Sequence, residues 1–157
     1  MFVRSAFEMS ANKIALGTVQ FGMPYGIAND SGQVSLSEAS ALLDAAISLG
    51  IEMLDTAVLY GDSEQRLGDV GVDDFEVVSK IPPVPNDCKN IADWVLNEVE
   101  CSLQRLGKQK LYGILLHRAD QLISPIGDEL FLALEKTKQV GLVDKVGVSI
   151  YSPEVLN

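Results

Sequence analysis

IEMLDTAVLYG, residues Ile51 to Gly61, decides how this chain is read. An apolar run of strand length, Ile51 to Leu54, ends on Asp55, and Tyr60 follows in the loop beyond it. A carboxylate at the end of a buried strand costs free energy unless something uses it. Two later runs close in the same way, VVSK on Lys80 and ILLH on His117. An acid, a phenol, an ammonium and an imidazole would then meet at one end of one sheet, which outlines a proton-transfer site.

The bulk properties suit such a site. A chain of 157 residues with 47% hydrophobic content fits a single folded domain over 1–157. The formal charge of -10, with no basic block, argues against nucleic acid or an anionic membrane surface as partners. Cys88 and Cys101 form no CxxC pair and do not cluster with the one histidine, so both read as reduced thiols of a cytoplasmic protein, with no metal site expected. The first twelve residues contain no long apolar run and read as a leader, neither signal peptide nor membrane anchor.

From residue 13 onward, strands and helices alternate. Ile14 to Gly17 reads as a short strand entering a Gly-rich loop, and Ser35 or Ser37 then opens a helix that stops at Gly50, with Leu42, Ala46 and Leu49 expected on its core face. After Tyr60, Ser63 is expected to cap a short helix, SEQRLGDV. Phe75 to Ser79 forms the next strand, which Pro82, Pro83 and Pro85 forbid from continuing. Asn90 caps the clearest helix, whose stripe of Ile91, Val95, Val99, Leu103 and Leu106 ends before Gly107. Leu111 to Leu116 is a strand, Asp128 begins a helix bearing Leu130, Phe131 and Leu134, and Val146 to Ser149 supplies a fifth strand. Short links of this kind give right-handed βαβ crossovers and a parallel sheet, either doubly wound or part of an eight-stranded barrel. A dinucleotide-binding Rossmann reading lacks its GxGxxG turn.

LGTVQFG, LDTAVLYGDSEQRLG, VVSKIP, ILLHR and VGVSIY stand in the order and spacing of the aldo-keto reductases, and the chain resembles bacterial members of that superfamily from residue 13 to about 153. Singly, each site residue is ordinary: Asp-Thr at a strand end is usually a turn, and a lone His after two leucines is usually structural. Four such types at four strand ends are far more specific. The resemblance implies a partial (β/α)8 TIM barrel, NADPH as cofactor with NADH not excluded, a small-molecule carbonyl substrate, and Asp55, Tyr60, Lys80 and His117 as the catalytic set.

The chemistry can be argued independently of the family. Carbonyl reduction builds negative charge on oxygen, so a proton donor must stand there. Tyr60 is the candidate donor; an ammonium beside a phenol favours the phenolate it leaves behind, and Lys80 is the candidate ammonium. Asp55 would keep Lys80 charged and aimed, and His117 would orient the carbonyl oxygen or help relay a proton. By resemblance, Thr18, Asp55 and Ser149 face the cofactor, with Gly17, Gln20 and Tyr25 near by. Ile150 replaces the Asn that many members carry after the serine, which removes one amide contact. Ser63 and Glu64 read as helix capping, and Arg118 as a rim residue.

Five strands are expected where the family barrel has eight. The expectation is therefore a truncated reductase, inactive alone, whose cofactor half is missing. The alternatives are a homo-oligomer paired through exposed sheet edges, or a non-enzymatic partner-binding half-barrel that keeps relic site residues.

Overall fold

In the computed structural model, which describes residues 14–27, 29, 30 and 32–152, five parallel strands alternate with helices. They are β1 (Ala15–Gly17), β2 (Met53–Asp55), β3 (Glu76–Ile81), β4 (Leu111–Leu116) and β5 (Val143–Val148). The helices are α1 (Val19–Gly22), α2 (Leu36–Ser48), α3 (Ser63–Val70), α4 (Ile91–Leu106) and α5 (Gly127–Gln139), with a 3-10 turn at Ala119–Ile123. The leader expected over the first twelve residues lies outside the described residues.

Strand order separates the two architectures that the alternation left open. The order is β1-β2-β3-β4-β5 with every pair parallel. A doubly wound sheet must reverse its strand order at a switch point, whereas a barrel advances in one direction. This sheet advances throughout, as five consecutive strands of a barrel wall do.

Local sequence explains most of the boundaries. Ser35 closes a capping box with Glu38 at the start of α2. At the other end, Gly50 takes φ +73° and the amide of Ile51 returns to the carbonyl of Ala46. That helix stop consumes Ile51, so β2 begins at Met53 and not at Ile51. On α2 the buried positions are Ala39, Leu43 and Ala46, while Leu42 and Leu49, expected in the core, are exposed. The apolar run on α2 is wider than its buried stripe, and neighbouring elements choose the face. Phe131 on α5 is half-exposed for the same reason, beside buried Leu130 and Leu134.

The α4 stripe is buried as its periodicity predicts, Asn90 caps it, and Gly107 closes it in the left-handed region. β3 runs on to Ile81, where Pro82 ends the ladder, and Phe75 stays outside it. β5 starts at Val143, paired with Leu111, three residues before the expected start. The core between helices and sheet collects Leu54, Val77, Ile81, Val95, Val99, Ile114, Leu116 and Leu130. Its consequence for the site is register: Gly17, Asp55 and Val78 lie side by side across β1, β2 and β3, two residues from Lys80 on the third strand.

Candidate active site

Asp55 is the last residue of β2, and its backbone carbonyl accepts hydrogen bonds from the amide and the hydroxyl of Thr18, each at 3.0 Å. Lys80, next to last in β3, is buried at 4% exposure. An ammonium has three N–H groups, and all three are used here. Lys80 Nζ donates to Asp55 Oδ1 at 2.6 Å, to the carbonyl of Thr56 at 2.9 Å and to the phenolic oxygen of Tyr60 at 3.3 Å. Because Tyr60 is the acceptor in that last bond, its own O–H proton is left to point elsewhere.

The loop that carries Tyr60 is held by backbone. The amide of Tyr60 bonds the carbonyl of Ala57, the carbonyl of Tyr60 takes the amide of Ser63, and Val58 reaches the carbonyl of Lys80. Gly61, at φ +60°, lies so near Gly22 that a Cβ on it would stand 2.2 Å from the Gly22 carbonyl oxygen. Only glycine fits that approach.

His117 follows β4 directly, its amide bonded to the carbonyl of Ile81. Its ring meets that of Tyr60 edge to face, with centroids 5.7 Å apart and planes at 87°. Nδ1 is buried without a hydrogen-bond partner. Burial lowers the proton affinity of the imidazole below the ordinary histidine value, and the Lys80 cation adds to this against the opposing pull of Asp55. A neutral ring with no acceptor at Nδ1 is cheapest with its proton on Nε2, which makes Nε2 a donor.

Tyr60 and His117 share a cavity of about 230 Å³ walled by Val19, Met23, Tyr25, Leu59 and Tyr151. A larger groove lies along the loop between α1 and α2, but neither Tyr60, Lys80 nor His117 lines it. The smaller cavity is the one that holds the Tyr60 hydroxyl and the His117 imidazole together, against an apolar, aromatic wall.

The structure thus brings together Asp55, Tyr60, Lys80 and His117. Ser149, just past β5, continues the ladder through its amide to the carbonyl of Leu116 and is half-buried. Thr18, given to the cofactor by the sequence reading, is fully buried and its hydroxyl is spent on Asp55 and Ser63, so it offers no side-chain surface to a ligand. Arg118 stands at the rim in a bidentate pair with Asp120, as its exposed position after the strand led one to expect.

Ser63 and Glu64 do not cap α3. The N-cap of α3 is Asp62, without a side-chain capping bond, and both Ser63 and Glu64 are buried. Ser63 Oγ bonds the carbonyl and hydroxyl of Thr18 and the hydroxyl of Thr56. Glu64 accepts from Ser79 and pairs with Arg105 at 2.6 Å. The partners of Ser63 come from just past β1 and β2, and those of Glu64 from β3 and α4, beyond any local pattern.

The Aldo/keto reductase family model matches residues 13–157. This chain belongs to that family. Among curated relatives of this chain, a 6-dehydroglucose reductase of Novosphingobium aromaticivorans is 27% identical, over 94% of this chain and 52% of its own. Among solved structures, an aldo-keto reductase from Pseudomonas aeruginosa superposes with TM-score 0.72 at 32% identity, covering 86% of this chain and 54% of its own. One from Klebsiella pneumoniae, in complex with NADPH, has TM-score 0.65 at 28% identity, covering 90% and 46%. The chain spans about half the length of these relatives. No helix among its described residues is long and apolar enough to cross a membrane.

Proposed function

We propose that this chain supplies the proton-donating side of an NADPH-dependent reduction of an aldehyde or ketone to an alcohol, with NADH not excluded as the donor. The observation that carries the reading is the hydrogen-bond accounting at Lys80, which leaves the Tyr60 proton directed away from the ammonium.

The residues present fit the nicotinamide end of the cofactor. Asp55 keeps its side chain 38% exposed beside Lys80, and Ser149 and the orphaned imidazole of His117 border the same end of the sheet. Asp55 and Ser149 would hold the nicotinamide, and the bound cofactor would supply a hydride to the carbonyl carbon. Tyr60 donates its proton to the carbonyl oxygen. Lys80, itself buried, stabilises the phenolate that remains across 3.3 Å. Asp55 keeps the ammonium aimed. His117, neutral, donates from Nε2 to the same oxygen and fixes its position before the proton moves.

Tyr60→Phe tests the role. It preserves the ring and its contact with His117 but removes the proton, so in a completed eight-stranded barrel carrying this chain NADPH-dependent reduction of an aldehyde should fall by ~10²–10⁴-fold. Turnover that survives the substitution would exclude Tyr60 as the donor.

A second reading, self-association, draws support from exposed Leu42 and Leu49 on α2 and exposed Phe131 and Leu132 on α5. These lie on the helices beside the two outer strands. Light scattering that gives a monomer at micromolar concentration would dismiss it.

A further inference from the structure

The start of α3 carries two consecutive buried polar residues whose side chains bond neither Tyr60 nor Lys80, yet each side chain grips the sequence neighbour of a site residue. Ser63 Oγ lies 2.9 Å from the carbonyl of Thr18, 3.0 Å from its hydroxyl and 3.1 Å from the hydroxyl of Thr56. Thr18 in turn donates to the carbonyl of Asp55, and the carbonyl of Thr56 is one of the three acceptors of Lys80. Glu64, 2% exposed, accepts from the hydroxyl of Ser79, the residue before Lys80. Its other oxygen is held by Arg105 of α4, which also donates to Ser102.

A buried carboxylate of this kind is costly and needs these partners to persist. Leu67 already anchors helix α3 in the core, so packing by itself does not call for a carboxylate at position 64. What a carboxylate adds is direction, because hydrogen bonds fix angles and distances where apolar packing does not.

We propose that Ser63 and Glu64 are positioning residues for the proton-donating group: Ser63 fixes the end of β2 at Asp55–Thr56, and Glu64 fixes the end of β3 at Ser79–Lys80. Together they set the separation of the two strand ends across which Lys80 meets Asp55. The proposal rests on the assignment of Lys80 and Asp55 to the site. Its test reads Lys80 itself, so loss of turnover cannot be confused with loss of positioning.

The measurement is reductive methylation of the 157-residue chain under native conditions, with the labelling of Lys80 compared by peptide mass spectrometry with that of exposed Lys110. Glu64→Ala should raise Lys80 labelling about tenfold, the factor that corresponds to 1.4 kcal/mol and to about one hydrogen bond involving a charged group. Glu64→Gln keeps an oxygen for Ser79 and should restore protection. Leu134→Ala, a core change in α5 that lowers stability without touching this network, should leave Lys80 protected. If Glu64→Ala does not fold, Ser79→Ala, which removes only the hydroxyl, carries the same expectation. Wild-type protection of Lys80 in the folded Glu64→Ala or Ser79→Ala protein overturns the proposal. Deprotection by Leu134→Ala equal to that of the network variants overturns it as well.

Discussion

Lys80 and Asp55 are joined at 2.6 Å, but the two ends of this pair see different surroundings: the lysine side chain is 6% exposed and the aspartate 38%. Water can therefore reach the carboxylate and cannot reach the ammonium. Removing one partner of a pair costs most when the charge left behind is buried. Asp55→Ala should destabilise the fold by about 3 kcal/mol, because it strands a buried cation. Lys80→Met should cost about 1 kcal/mol or less, since the remaining carboxylate is hydrated. Urea unfolding of both variants checks the asymmetry; equal losses would mean that the pair is screened alike at both ends.

The Tyr60 loop depends on a glycine contact. A Cβ on Gly22 would fall 1.6 Å from the carbonyl oxygen of Tyr60 and 2.5 Å from the amide of Ser63, atoms that no side-chain movement can clear. Gly22→Ala should cost roughly 3 kcal/mol or more through forced backbone displacement. Whatever fold survives should lose the ring contact between Tyr60 and His117, read as a nuclear Overhauser effect between the two side chains. A Gly22→Ala protein that keeps both wild-type stability and that contact would contradict the geometry.

His117 is the only histidine in the chain, so its imidazole resonance can be followed without assignment. Burial and Lys80 lower its protonation midpoint below 6.5, while Asp55 raises it. Lys80→Met should move the midpoint up and Asp55→Asn should move it down. The sign for stability follows by linkage. The unfolded chain binds this proton more tightly than the folded one, so the neutral ring's contribution is complete above pH 6.5 and is lost as pH falls towards the lowered folded midpoint. A pH titration by NMR, with unfolding measured at pH 7.5 and 5.5, examines both; a midpoint that rises in Asp55→Asn would refute the electrostatic account.

Much of the fold was legible because its signals are local. Asn90 before a stripe repeating at helical spacing, a serine before the α2 pattern, Gly50 and Gly107 at helix ends, and Pro82 after a β-branched run each act within one turn of chain. The exposed Leu42 and Phe131 were misread because apolar character says that a residue can be buried, and only the neighbouring element says whether it is. Ser63 and Glu64 were misread for a related reason. At the start of a helix both types usually cap, and the hydroxyls of Thr18, Thr56 and Ser79 that claim them come from three strand ends.

By itself the sequence determined the alternation of strand and helix, and with it which residues stand at strand ends, because period and capping are properties of adjacent residues. Asp55, Lys80 and His117 were placed at or beside strand ends on those grounds alone. The tertiary structure decided the rest: that the strands advance in one direction, that Lys80 spends its three N–H groups on Asp55, Thr56 and Tyr60, and that Thr18 and Glu64 face inward as moorings. Those outcomes depend on which atoms meet across 15 or more residues of chain, as Glu64 meets Ser79 and Lys80 meets Asp55, and on what burial then demands of every polar group enclosed.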